Sequence, residues 1–245
     1  MKILAVIPSR FASTRFPGKP LIDIKGKTMI QRVFEQAKQC KSFADVIVAT
    51  DDERIYNHVI EFGGKAMMTS EKHPSGTDRC AEVLSKIDQK YDAVVNVQGD
   101  EPFIQPDLLD GLISRWKETK CRLVTAVAKI QTTERLMASS VVKVVRAESG
   151  EAIYFSRSPI PHLRGVDPNE WVARRDYWVH IGVYGYDRAT LAGYSKLAPT
   201  ELETVESLEQ LRFLAHGFTF QTVVTQYHPV AIDTPEDLEV ARKML

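Results

Sequence analysis

Apolar residues along this chain fall in short runs separated by segments of helical spacing. Residues 3–7 form one continuous apolar run, the pattern of a strand buried on both faces. Over residues 28–40 the apolar positions are Met29, Ile30, Val33, Phe34 and Ala37, which share one helix face. A second strand is predicted over 46–49, ending in Thr50-Asp51-Asp52. A helix over 53–62 is closed by Gly63-Gly64. The same pattern continues with a strand over 65–68, a helix over 78–87 and a strand over 93–97, which ends in Gln98-Gly99-Asp100-Glu101-Pro102. A helix over 106–116 and a strand over 123–127 follow. Such alternation predicts βαβ units, and hence a mostly parallel sheet with helices on both faces.

The second half changes character. Residues 141–145 and 151–155 read as paired strands around Ser149-Gly150, and 177–186 as a long β-rich run. Val205, Leu208, Leu211 and Leu214 predict one helix over 203–215, with Glu206, Glu209 and Gln210 on successive turns. A strand over 220–224 follows. A last helix over 235–245 has Thr234 as its N-cap and Pro235 at its first position. No linker, repeat or low-complexity stretch interrupts the chain. The expected organisation is one α/β domain over 1–245 with an inserted α+β subdomain at roughly 129–219.

Composition narrows the function classes. With 245 residues, 44% of them hydrophobic, the chain can bury a sizeable core. Its formal net charge is zero, which argues against nucleic acid as the partner. Positive charge is local instead, over 8–21 and 157–175, which fits a small anionic substrate. Cys40, Cys80 and Cys121 show no C-x-x-C spacing and read as reduced, small apolar residues. The start lacks a signal-like segment, and no apolar run is long enough to span a membrane. A soluble, cytoplasmic protein with no membrane partner is expected.

The densest chemistry lies just after the first strand, in Ile7-Pro8-Ser9-Arg10-Phe11-Ala12-Ser13-Thr14-Arg15-Phe16-Pro17-Gly18-Lys19-Pro20-Leu21. Open α/β sheets bind ligands at the carboxyl ends of their strands. Cations and small residues there suit a polyphosphate. Neither G-x-x-x-x-G-K-[ST] nor G-x-G-x-x-G occurs, so Arg10, Arg15 and Lys19 must do more than backbone amides. In Val94-Val95-Asn96-Val97-Gln98-Gly99-Asp100-Glu101 a buried strand ends in a turn-forming Gly followed by two carboxylates. Asp100 is placed as a Mg²⁺ ligand would be, or as a simple turn cap. Asp233, before Thr234-Pro235-Glu236-Asp237, is equally an acidic residue favoured by a helix dipole. Ser75-Gly76-Thr77 can form an anion or base-edge site, or merely cap a helix. Arg157, Arg164, His180, Tyr184, Glu209 and Gln210 lie in further polar motifs, each with an ordinary structural reading.

These motifs, taken in order, resemble those of the 3-deoxy-manno-octulosonate (Kdo) cytidylyltransferases, also called CMP-Kdo synthetases, from residue 3 to about residue 240. The resemblance implies a nucleotide-diphospho-sugar transferase-like (Rossmann-like) fold, the substrates CTP and Kdo, Mg²⁺ as cofactor and a homodimer. It assigns Pro8, Ser9, Arg10, Ser13, Arg15, Lys19, Ser75, Gly76, Thr77, Gln98, Gly99 and Asp100 to the nucleotide. Asp100 and Asp233 become the metal carboxylates, and with Arg10, Arg15 and Lys19 the catalytic set. Arg79, Glu101, Arg157, Arg164, His180, Tyr184, Glu209 and Gln210 would hold the sugar acid. Two departures are mild: Ser9 replaces the usual Ala, and Asp78 a common Glu. Residues 162–178 have no clear counterpart. They flank the sugar pocket, so a related acid, 8-amino-Kdo or sialic acid, is the alternative acceptor.

Overall fold

The computed structural model describes residues 1–12, 16–232 and 234–244. The chain forms two compact units. One comprises Met1–Asp110, Val183–Ser195 and Pro229–Leu245, the other Gly111–Gly182 and Lys196–His228.

The first unit is built on β1 (Ile3–Ser9), whose apolar residues Ile3 to Ile7 are fully buried. A small hairpin follows, β2 (Asp23–Ile24) and β3 (Lys27–Thr28), and then α1 (Met29–Gln39). The Thr28 hydroxyl caps α1 by accepting from the Gln31 N–H, and the predicted apolar face is the buried one. Next come β4 (Phe43–Thr50), α2 (Glu53–Glu61), β5 (Ala66–Met68), α3 (Gly76–Lys86), β6 (Ala93–Val97) and α4 (Pro106–Thr119). β1 pairs in parallel with β4 on one side, Ala5 beside Val46, and with β6 on the other, Ala5 beside Val95. β5 extends the parallel set beyond β4.

The second unit holds β7 (Leu123–Lys129), α5 (Thr133–Met137), β8 (Lys143–Arg146), β9 (Ala152–Ser156) and α6 (Trp171–Arg174). β8 and β9 form an antiparallel hairpin with Val144 opposite Phe155. The long strand β10 (Trp178–Asp187) begins in this unit, where Trp178 pairs with Val144. It ends in the first unit, antiparallel to β6, with Val183 opposite Val97, and leads into α7 (Arg188–Gly193). α8 (Glu201–Glu206), α9 (Gln210–Ala215) and β11 (Phe220–Thr225) complete the second unit, β11 lying parallel to β7. α10 (Pro235–Lys243) closes the first unit. The chain is thus a mixed α/β protein with a mostly parallel core sheet.

One predicted element is overturned. The helix expected over 203–215 is two short helices, because Ser207 adopts a left-handed conformation (φ 52°) that ends α8. Leu208 N–H turns back to the Glu203 carbonyl, and the next helix starts at Gln210. Val205, assigned to the apolar face, is 76% exposed, whereas Leu208 and Leu211 are buried. Glu206, Glu209 and Gln210 therefore do not follow one another on successive turns. Within the unmatched stretch 162–178, Trp171 is buried, stacks on Tyr177 at 6.1 Å and donates its indole N–H to the Val166 carbonyl.

Candidate active site

The loops that follow β1 and β6 leave the sheet at the same end, because the two strands are parallel. They approach closely. A Cβ on Gly99 would lie 2.6 Å from the Pro8 carbonyl oxygen, so no other residue fits there without moving backbone. A Cβ on Gly76, at the start of α3, would lie 3.3 Å from Asn96 Nδ2 and 3.4 Å from Pro8 Cγ, a tight but less severe approach. Around this cradle two buried acceptors, Ser9 Oγ and Asn96 Oδ1, have no hydrogen-bond partner among the described residues.

Lys19 draws the motifs together. Gly18, with φ 73°, turns the chain into a short 3-10 turn at Lys19. The Lys19 ammonium then donates to Asp100 Oδ2 at 2.9 Å and to the Ile232 carbonyl at 3.1 Å. Ile232 is tied back to the same place, its N–H donating to the Asp100 carbonyl at 3.1 Å. An apolar cluster of Ile24, Met29, Ile232 and Leu238, with Phe16 and Phe103 packed against it, fixes this junction from below. Beyond it, Thr234 and Asp237 form a capping box that starts α10, with Pro235 at its first position. The first motif, the second, and the residues flanking the third thus meet in one unit, across as many as 213 positions of sequence. Arg10 is exposed, and Gln98 is half-buried. Ser13, Arg15 and Asp233, three of the predicted site residues, lie outside the described residues.

The Ser75-Gly76-Thr77 segment is largely spent on structure. Ser75 Oγ accepts from the Asp78 N–H and donates to the Asp78 carboxylate at 2.6 Å, which is the capping alternative. Thr77 is buried with its hydroxyl 3.2 Å from the Tyr186 hydroxyl. Arg79, anticipated at the sugar, is 3% exposed. It pairs with Asp51 at 2.5 Å and donates to Thr69 Oγ1 at 2.7 Å. These partners hold its guanidinium inside the first unit. Tyr184 stacks on Tyr186 at 6.1 Å, and Glu101 is buried in the turn after Asp100.

In the second unit, Arg157 is held as no sequence pattern suggested. Its Nε donates to the Glu206 carbonyl at 2.7 Å, and its two terminal nitrogens donate to the Ser139 and Ser207 carbonyls. The Glu206 carboxylate accepts from Ser156 Oγ and from the Arg157 N–H at 2.9 Å. Beneath them Lys143 is fully buried, and its ammonium donates to the Ala138, Val141 and Arg157 carbonyls. Burial lowers the Lys143 pKa, as does the nearby Arg157, while Glu206 opposes them. Arg164 and Glu209 are exposed, and Gln210 is buried at the start of α9. His180 is also buried, its Nε2 lying 2.9 Å from Thr125 Oγ1 and its ring set edge-on to Phe155. Burial pushes its pKa down to about 3, so the ring is neutral at any ordinary pH.

Comparison with known proteins agrees with this geometry. The cytidylyltransferase family model matches residues 4–223. A 3-deoxy-manno-octulosonate cytidylyltransferase of Cytophaga hutchinsonii is 49% identical over 242 residues, covering 97% of this chain and 95% of that protein. One from Parabacteroides distasonis is 45% identical, covering 100% and 98%. A solved structure of a CMP:2-keto-3-deoxy-manno-octonic acid synthetase complexed with CTP superposes with a TM-score of 0.92 at 41% identity, over 100% of this chain and 98% of the other. Family model, full-length relatives and fold converge: the chain belongs to the 3-deoxy-manno-octulosonate cytidylyltransferase family and is a nucleotidyltransferase.

Proposed function

We propose that the protein activates Kdo with CTP, in the reaction CTP + Kdo → CMP-Kdo + diphosphate. The observation that carries this reading is the Lys19–Asp100–Ile232 junction. A cation from the loop after β1 meets a carboxylate from the loop after β6, as transfer of a nucleotidyl group from a triphosphate requires.

The anomeric hydroxyl of Kdo attacks the α-phosphorus. The bond to the bridging oxygen breaks, diphosphate leaves, and the hydroxyl proton passes to solvent. Such a reaction asks the protein mainly for positioning and charge stabilisation. Arg10, Arg15 and Lys19 hold the β- and γ-phosphates and offset the charge that builds on the leaving group. Pro8, Ser9, Gly76 and Gly99 let the nucleotide approach the backbone, and Gln98 reads the base. Asp100, a partly exposed carboxylate, is a hard oxygen donor of the kind Mg²⁺ takes, and Asp233 would be the second. When bound, Mg²⁺ would supply Lewis-acid stabilisation of the α-phosphate.

The family resemblance assigns Glu101, Arg157, Arg164, Tyr184, Glu209 and Gln210 to the acceptor. His180, expected at the sugar acid, is buried, and a neutral imidazole with so low a pKa would make a poor general base. Its Nε2 lies 2.9 Å from Thr125 Oγ1. Arg79 and Thr77 are reassigned to the scaffold. We place the protein in the cytoplasm as a homodimer. No helix among the described residues is long and apolar enough to cross a membrane.

Thermal-shift titration tests the nucleotide assignment. CTP should stabilise the protein while ATP and GTP leave it unchanged, because buried hydrogen-bonding groups reject a base that cannot pair with them. Equal stabilisation by ATP would overturn it.

A further inference from the structure

We infer that Phe11 and Arg54 form a clamp that fixes Gly18, and through it Lys19, which makes both of them positioning residues for CTP. The inference rests on the reading of that loop given above. Phe11 sits at the loop's entrance and Gly18 at its exit, and the two are joined: the Gly18 N–H donates to the Phe11 carbonyl at 3.0 Å. The edge of the Phe11 ring abuts Gly18 so closely that a Cβ there would lie 3.1 Å from Cζ. The ring's face carries the Arg54 guanidinium, its central carbon 3.4 Å from the ring centroid.

Arg54 is itself immobilised from the other side. Its Nε and Nη2 donate to the two oxygens of Asp52 at 2.9 and 2.6 Å. Asp52 is in turn the N-cap of α2, accepting from the Arg54 N–H. A chain of contacts therefore runs from the start of α2 through Arg54 and Phe11 to Gly18, the residue before Lys19. None of these groups reaches Asp100. What they fix is Gly18, the residue that leads into Lys19, whose ammonium does. A lysine held in place before substrate arrives loses less conformational entropy on binding, and the gain appears in substrate affinity.

The test is steady-state kinetics with CTP varied, alongside calorimetric CTP binding, on Phe11→Leu, Arg54→Gln and the double variant. Each single variant should raise the KM and Kd for CTP by about two- to fivefold, the range of a solvent-exposed cation–π contact. The kcat should stay within about twofold and the Tm near that of wild type, since a generally weakened fold would not spare kcat. The double variant should be no worse than either single one, because the pair acts as a unit. Phe11→Tyr, which keeps the ring, should behave like wild type. A Phe11→Leu enzyme with unchanged CTP affinity would overturn the clamp. So would additive losses in the double variant, which would make Arg54 an independent phosphate ligand. Lys19→Ala separates the two levels. If it too left CTP binding untouched, the loop would not be the phosphate site and the underlying reading would fail. If it impaired binding while Phe11→Leu did not, only the clamp would fail.

Discussion

Lys19 is the residue on which most of the site's geometry converges. Its ammonium is partly shielded and shared between a carboxylate and a carbonyl, so it is already oriented before substrate binds. Lys19→Ala should cost about 2–4 kcal/mol of transition-state stabilisation, by analogy with the loss of one preorganised donor. Turnover assays with CTP would read this, and wild-type turnover would demote the loop to a solvated turn. Two groups, one buried and one half-buried, also set an acid limit on stability. The folded-state pKa of His180 is depressed from 6.5 to about 3, so the unfolded chain takes up a proton first. Stability from its neutral form falls as pH drops below 6.5 and levels off near 3. For Glu82, burial raises the pKa, but hydrogen bonds from Lys86, the Ser70 N–H and His73 outweigh it, leaving it at about 2. Its contribution is present above 4.5 and is lost as pH falls toward 2. Denaturant titrations between pH 7 and pH 3 should show declining stability. Replacing His180 by Asn should flatten the part above pH 4.5, and an unchanged slope would contradict its burial as a neutral ring.

At the scale of elements, the first half of the fold was readable because its strands are apolar on both faces. Residues 3–7 and 93–97 are mainly apolar runs of strand length, and the face of α1 was named residue by residue. The failure over 203–215 has a definite cause. Spacing counts apolar positions but is blind to a single left-handed residue, and Ser207 is not a glycine. That break matters, because it exposes the carbonyls of Glu206 and Ser207 that grip Arg157. Glu206 and Lys143 were not anticipated as supports of Arg157. A lysine in a strand normally reads as pointing to solvent, and only the three carbonyls around Lys143 reveal otherwise. Glu206→Gln replaces a charged acceptor and should weaken acceptor binding by about 1.5–3 kcal/mol. Calorimetry should meanwhile find CTP affinity unchanged. A CTP defect with normal acceptor KM would reassign Arg157 to the triphosphate side.

For the whole molecule, sequence spacing could not bring the loop after β1, the turn after β6 and the start of α10 together. The resemblance to a family supplied that grouping, and the contacts of Lys19 and Ile232 supply its physical form. The cation proposed there makes a joint demand on two carboxylates 133 positions apart, Asp100 and Asp233. Asp100→Asn and Asp233→Asn should each nearly abolish diphosphate release, and the double variant should be little worse than either. Activity should vanish in excess EDTA and return with Mg²⁺ or Mn²⁺, both of which suit oxygen ligands. Full activity in EDTA, or additive losses, would count against a shared metal.

The central claim is that this protein joins CMP to Kdo, and phosphorus NMR of the reaction tests it most directly. With CTP, Kdo and Mg²⁺ present, the triphosphate signals should give way to a sugar phosphodiester and to diphosphate in equal amounts. No conversion should occur when Kdo is omitted. Appearance of CDP and inorganic phosphate instead, or CTP left intact beside Kdo, would contradict the account.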